Sequence, residues 1–322
     1  MNTGVKQGPL FWALSRAAAF VAFASLLPDP ASAQILPFRS WVSSNGHDDN
    51  DCSRYTPCLT LQAAIDKTTA GGVIQIIDAG AFGPIEITKA LTIEGTTGSE
   101  VFDTFRAAVR VRADLTDVVI LRGLRMTGKQ SAIFLESGKA LYVEDCIVEN
   151  GLFGGITVLP GNGRPELHVN RTTIANNGSG VEGAGIQIVP SNALGAKVVI
   201  TNSIIDGNVV GIRADARGTT GMIDVAISDT RTAANTYHGI VALANGSGSA
   251  RIVANRVSSN SNGAEGIRVV GAGAVIQLGT SVVTGNQIGI VAQSGGQVQS
   301  FGDNRIGGNV IEGATPVIIP FK

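Results

Sequence analysis

Seven short segments of this chain pair a small residue with isoleucine and recur at nearly fixed intervals: Ala132-Ile133, Gly155-Ile156, Gly185-Ile186, Gly211-Ile212, Gly239-Ile240, Gly266-Ile267 and Gly289-Ile290. The isoleucines are 23, 30, 26, 28, 27 and 23 residues apart. A period in the twenties that absorbs insertions without losing phase is the mark of a solenoid, in which each repeat is one turn of backbone stacked on the next. A globule with one central core is thereby excluded, because every turn buries its apolar side chains against its neighbours.

A second apolar ladder runs through Ile120, Val143, Val169, Ile200, Ile227, Val253, Leu278 and Phe301. Asparagines follow about eight residues later, at Asn150, Asn176-Asn177, Asn208, Asn235, Asn260, Asn286 and Asn309. Asn tolerates the left-handed backbone region better than other non-glycine residues, and stacked amides can bond along a column. Short β-branched runs, Val73–Ile77, Ile85–Ile87, Leu91–Ile93 and Val118–Ile120, read as strands. Three strands per coil with small residues at the corners predict an all-β, single-stranded right-handed parallel β-helix of roughly ten coils. At ~4.8 Å per coil the rod is ~48 Å long. The left-handed alternative requires a strict six-residue repeat, which this chain lacks.

Residues 1–33 read as an export signal: Lys6 and Arg16, an apolar stretch from Ala17 to Leu27, and Ala31-Ser32-Ala33 as a cleavage site. The apolar stretch is shorter than the ~20 residues needed to span a bilayer, so no membrane insertion is expected. The chain is expected to be secreted or periplasmic, with Gln34 as the first mature residue. An oxidising compartment lets Cys52 and Cys58 close a disulfide, and Cys146, aligned with Thr172 and Ser203, is expected as a small buried residue. The segment from Gln34 to Asp51 reads as irregular. A short amphipathic helix over Leu59–Lys67, capped by Thr60, closes the open end of the solenoid. The expected organisation is therefore a signal at 1–33, a cap at 34–72, the β-helix at 73–309 and a second cap at 310–322. The whole chain carries 24 basic and 25 acidic residues with no block of either sign, which predicts no nucleic-acid partner.

The segment from Trp41 to Gly80, with Asp51-Cys52, Pro57-Cys58, Leu61-Gln62-Ala63-Ala64-Ile65 and Gly71-Gly72-Val73-Ile74, resembles the cap and first coil of exported bacterial right-handed β-helix proteins. Together with the repeats, the resemblance covers nearly the whole mature chain and relates it in fold to pectate lyases and polygalacturonases. It implies an acidic polysaccharide as partner. Tyr237-His238-Gly239 matches part of a polygalacturonase-type motif set, and the one Asp-Asp pair, Asp48-Asp49, precedes the solenoid. The Asp-Pro-His-Asp and Arg-x-Pro-x-x-Arg signatures of related epimerases and lyases are absent.

Candidate chemistry clusters on one face. The residues after the repeat isoleucines, Phe134, Thr157, Gln187, Arg213, Val241, Arg268 and Val291, should point outward. Arg213 and Arg268, two coils or roughly 10 Å apart, suit carboxylate recognition, with Asp215 close by. His238, beside Tyr237, aligns with Glu265 one coil on, and a His next to a carboxylate suits general-base work. Asp48, Asp49 and Asp51 form the densest acidic stretch and are the candidates for calcium, the one cofactor a lyase of this kind would need. Three functions remain open at this point: binding of an extended polymer such as a polysaccharide without turnover, a polyuronate lyase, hydrolase or epimerase, and a structural or adhesive rod.

Overall fold

The structure is a computed structural model that describes residues 1–4, 36–191 and 193–320; the expected signal, beyond its first four residues, and the expected cleavage site lie outside them. From Leu36 onward the chain forms one unit. Among the described residues its strands stack in three parallel sheets of 12, 10 and 10 strands, and the chain visits the sheets in the same order from coil to coil. The first sheet begins with Arg39–Val42 and ends with Val317–Ile318, the second runs from Gly80–Ala81 to Arg305–Ile306, and the third from Ile85–Ile87 to Ile311–Gly313. The depth of the sheets matches the expected number of coils.

The repeat isoleucines sit in the third sheet in the register the sequence sets, from Ile133 through Ile156, Ile186, Ile212, Ile240 and Ile267 to Ile290. All are buried, and each contributes about 1.5–3 kcal/mol through removal from water. The reason for the glycine before them lies one corner away. A Cβ at Gly185 would come within 2.9 Å of the Asn208 amide nitrogen and of the Gly211 carbonyl oxygen; at Gly239 it would meet Ser259 at 2.2 Å and the Asn262 amide at 2.8 Å. The Asn column thus occupies the space a side chain would need. Ala132, the one repeat without glycine, is followed one coil later by Gly151 where the other corners carry Asn.

That column is Asn177, Asn208, Asn235, Asn262, Asn286 and Asn309. Each Oδ1 from Asn208 onward accepts the backbone N–H and the side-chain amide of the Asn one coil earlier, at 2.8–3.3 Å. Asn262 replaces the expected Asn260, which ends a strand of the second sheet instead. The left-handed conformation belongs to the residue just before the stacked amide: Asn176, Gly207, Ala234, Ser261, Gly285 and Gly308. Turning the corner and stacking are separate tasks carried by adjacent residues.

The corner between first and second sheets repeats this plan with smaller groups. Cys146, Thr172, Ser203, Thr230 and Ser281 are buried there, and the N–H of Cys146 donates to Thr172, that of Thr172 to Ser203, and that of Ser203 to Thr230. Burial pushes the Cys146 thiol up to about 11. In the first sheet the inward ladder is Leu121, Val143, Val169, Ile200, Ile227, Ala254, Leu278 and Ser300. Ile120, Val253 and Phe301 are displaced by one residue from the expected register and point away from the core.

At the N-terminal end, Arg39–Val42 pairs with Gly72–Ile76, so the segment expected to be irregular supplies a strand. The helix Leu61–Lys67 is capped by Thr60 and buries Leu61, Ala64 and Ile65. Cys52 and Cys58 are joined in a disulfide. At the far end, Ile311–Gly313 and Val317–Ile318 continue the third and first sheets. The stretch expected to cover this end therefore adds rungs, and Val310, Ile311, Val317 and Ile318 stay more than half exposed.

Candidate functional site

Outward side chains of the third sheet form a grid because parallel in-register strands place equivalent residues side by side. Around the fifth to eighth strands it has three columns: Ala184, Val210, His238 and Glu265; Gln187, Arg213, Val241 and Arg268; and Asp215, Leu243 and Val270. The outward row predicted by alternation is the central column. Its exposure differs from expectation: Thr157, Arg213 and Val241 are at most 5 % exposed. Val241 packs with Ala184 and Val210 in a small apolar cluster outside the main core, with Val209 and Leu243 against it.

The insertion responsible is the longest in the ladder. Between Asn177 and Gly185 the corner loop carries Gly178-Ser179-Gly180-Val181-Glu182-Gly183, and it overhangs the grid. Val181, Glu182, Arg217, Val210, Arg213, His238, Val241, Leu243, Arg268 and Val270 enclose a cleft of about 340 Å³. Glu182 and Arg217 were not among the residues singled out from sequence. The 30-residue interval was the available signal for the first, and the position two residues past Asp215 for the second.

Arg213 is the centre of a charged group. Its Nη2 donates to Asp215 at 2.7 Å and pairs with the Glu182 carboxylate, while Nη1 donates to the Glu182 carbonyl oxygen at 2.9 Å. Its Nε is buried with no hydrogen-bond partner. Asp215 also accepts from the backbone N–H, Nε and Nη2 of Arg217 at 3.1, 2.9 and 2.7 Å. Burial pushes the Asp215 carboxyl up, but the hydrogen bonds from Arg217 and Arg213 outweigh it and bring it down to about 2. Arg213 is thus paired with two carboxylates and does not stand free on the sheet face.

One coil further, His238 contacts Glu265 through Nδ1, and Arg268 Nη1 donates to the other Glu265 oxygen at 2.8 Å. The His238 hydrogen bond holds the Glu265 carboxyl below its ordinary value against the opposing pull of burial. His238 faces the cleft, while Tyr237 stands at the corner with its ring 6.0 Å away and tilted by 46°. The six candidate residues therefore fall into two paired groups, Arg213 with Asp215 and His238 with Glu265 and Arg268, and Tyr237 lies at their edge. With His238 neutral, Arg213, Arg217 and Arg268 balance Glu182, Asp215 and Glu265.

The acidic stretch before the helix is occupied differently. Asp48 accepts from the N–H groups of Leu59 and Thr60 and from the Thr60 hydroxyl, tying the loop to the helix start. Asp51 accepts from the Ser53 N–H and the Thr56 hydroxyl, and Asp49 points into solvent beside His47. Among the described residues no group of three or more His, Cys, Asp or Glu could hold a metal ion, and no helix is long and apolar enough to cross a membrane.

Residues 89–224 match the family model described as right handed beta helix region. Three solved structures are similar to the chain. Pectate lyase Pel9A is 13 % identical over 88 % of this chain and 77 % of its own, with a TM-score of 0.49. The enzymatically active domain of tailspike protein 2 from bacteriophage CBA120 is 12 % identical over 76 % of this chain and 39 % of its own, with a TM-score of 0.50. A rhamnogalacturonan lyase is 14 % identical over 81 % of this chain and 84 % of its own, with a TM-score of 0.41. No curated protein sequence matches the chain.

Proposed function

Starting from a right-handed parallel β-helix that carries a built cleft on its third sheet, we propose that this face binds an extended polysaccharide outside the cytoplasm without turning it over. One observation carries the reading. The cleft is lined by guanidinium and carboxylate groups that are fixed against one another, set among Val181, Val210, Val241, Leu243 and Val270. Paired charges present donors and acceptors in a rigid array with little net charge, which suits a ligand rich in hydroxyl groups, and the aliphatic floor suits the apolar faces of sugar rings. The Cys52–Cys58 disulfide agrees with an exported protein, and residues 1–33 would be its leader.

A second reading rests on His238. Its Nδ1 lies against the Glu265 carboxylate, and a His beside a carboxylate is an arrangement used in general-base catalysis. Calorimetric titration of residues 34–322 with a panel of neutral and acidic polysaccharides separates the readings, combined with assays for unsaturated uronate and new reducing ends with calcium and with chelator. Saturable binding with no product supports the proposal. Product that disappears on replacing His238 and Arg213 by Ala replaces it with the enzyme, and no affinity for any glycan leaves a structural rod.

A further inference from the structure

Within the cleft, Glu182 differs from every other carboxylate. Asp215 lies beneath the arginines, 8 % exposed, and Glu265 is 7 % exposed behind His238. The Glu182 side chain is 65 % exposed, reaches in from the overhanging loop, and its carboxylate is held by Arg213, with Arg217 at 3.9 Å. That loop has glycine at both ends and in the middle, and Gly178 and Gly180 adopt φ values of 97° and 59° that other residues rarely reach. Beneath it, Arg213 is 5 % exposed and retains a buried Nε without a partner.

The charges define what the site can take. Asp215, at the buried end of its strand, compensates one of the two guanidinium groups through four hydrogen bonds, one from Arg213 and three from Arg217. Glu182 compensates the second and can leave with its loop. Removing it exposes one net positive charge, presented as a planar fork of N–H donors that matches a carboxylate. We infer that Glu182 is an internal occupant of a carboxylate subsite formed by Arg213 and Arg217, and that an acidic polymer binds by displacing it, while a neutral polymer binds with the loop in place. The inference rests on the polysaccharide reading and adds to it a built-in competitor that selects against weakly acidic chains. An acidic chain must supply its carboxylate at the position Glu182 holds, so a methyl-esterified chain gains nothing from displacement.

The test compares the full mature chain with Glu182→Gln, whose exposed position keeps the fold intact. Dissociation constants are measured for polygalacturonate and for its fully methyl-esterified form. The expected result is a roughly tenfold rise in the preference for the acidic form over the ester in Glu182→Gln, and a steeper loss of acidic binding with added salt. An unchanged or reduced preference overturns the inference. A second measurement stands apart from polymer binding: galacturonate is titrated into both proteins while the Arg213 Nε–H resonance is followed. A shift with galacturonate but not glucose, stronger in Glu182→Gln, supports the subsite even if no polymer binds. No shift in either protein sinks the subsite while leaving neutral-polymer binding to be judged by its own titration.

Discussion

The asparagine column and the charged cleft are two sets of polar side chains built on opposite plans. The asparagine column repeats one group from Asn177 to Asn309, and every amide is matched by the next. The cleft sets three guanidinium and three carboxylate groups, from Glu182 to Arg268, in pairings that differ from coil to coil, and leaves Arg213 Nε unmatched. Repetition satisfies backbone geometry, which is the same in every coil. Departure from repetition marks a place where the coils have been made unlike one another, and such a place is where recognition of something outside the chain can be built.

The largest effect should come from breaking the column. Asn235→Ala removes the acceptor for the Asn208 backbone and side-chain amides and a donor to Asn262, leaving buried groups unpaired at about 1–3 kcal/mol each. We expect a loss of about 3 kcal/mol in urea unfolding, with no selective effect on glycan binding. A loss below ~1 kcal/mol would show the column to be incidental.

Asp215→Asn should be milder, about 2 kcal/mol at neutral pH, because Glu182 still faces Arg213 when one member of a buried pair is lost. Its pH dependence is the sharper test. The carboxyl lies at about 2 in the folded protein and near ~3.9 unfolded, so its contribution is complete above pH ~4 and is lost as pH falls through about 2. The stability gap between wild type and variant should close over that window, and a gap that stays constant would mean that Asp215 acts by shape and not by charge. Asn260→Ala, two residues before the column member Asn262 and outside the column, should change stability by less than ~0.5 kcal/mol. An effect equal to that at Asn235 would abolish the distinction between stacked and merely periodic asparagines.

The same contrast explains how much could be read from the sequence. The isoleucine ladder was legible because a buried rung admits few substitutes and the glycine beside it is required by the amide behind it. The first-sheet ladder was misplaced at Ile120, Val253 and Phe301 because their neighbours Leu121, Ala254 and Ser300 do the burying, and hydrophobicity alone does not tell which of two adjacent residues faces inward. Asn260 was chosen over Asn262 for a similar reason: spacing locates a corner to within two residues, whereas stacking depends on which residue follows the left-handed one. In the cleft, register alone brought His238 opposite Glu265 and Arg213 beside Asp215. What alternation could not reveal was that an insertion would fold back over the sheet, so that Arg213, expected at the surface, is buried and neutralised.

The corner between the second and third sheets is three or four residues long in most coils and eight from Asn177 to Gly185, yet the strands on either side keep their partners. The fold therefore has a fixed variable and a free one. Rung alignment is conserved by the amides and isoleucines, while residues added at this corner change only what hangs over the outer face. A lineage carrying such a scaffold can acquire, lose or exchange specificities by lengthening one turn, with each trial leaving the rod beneath it intact.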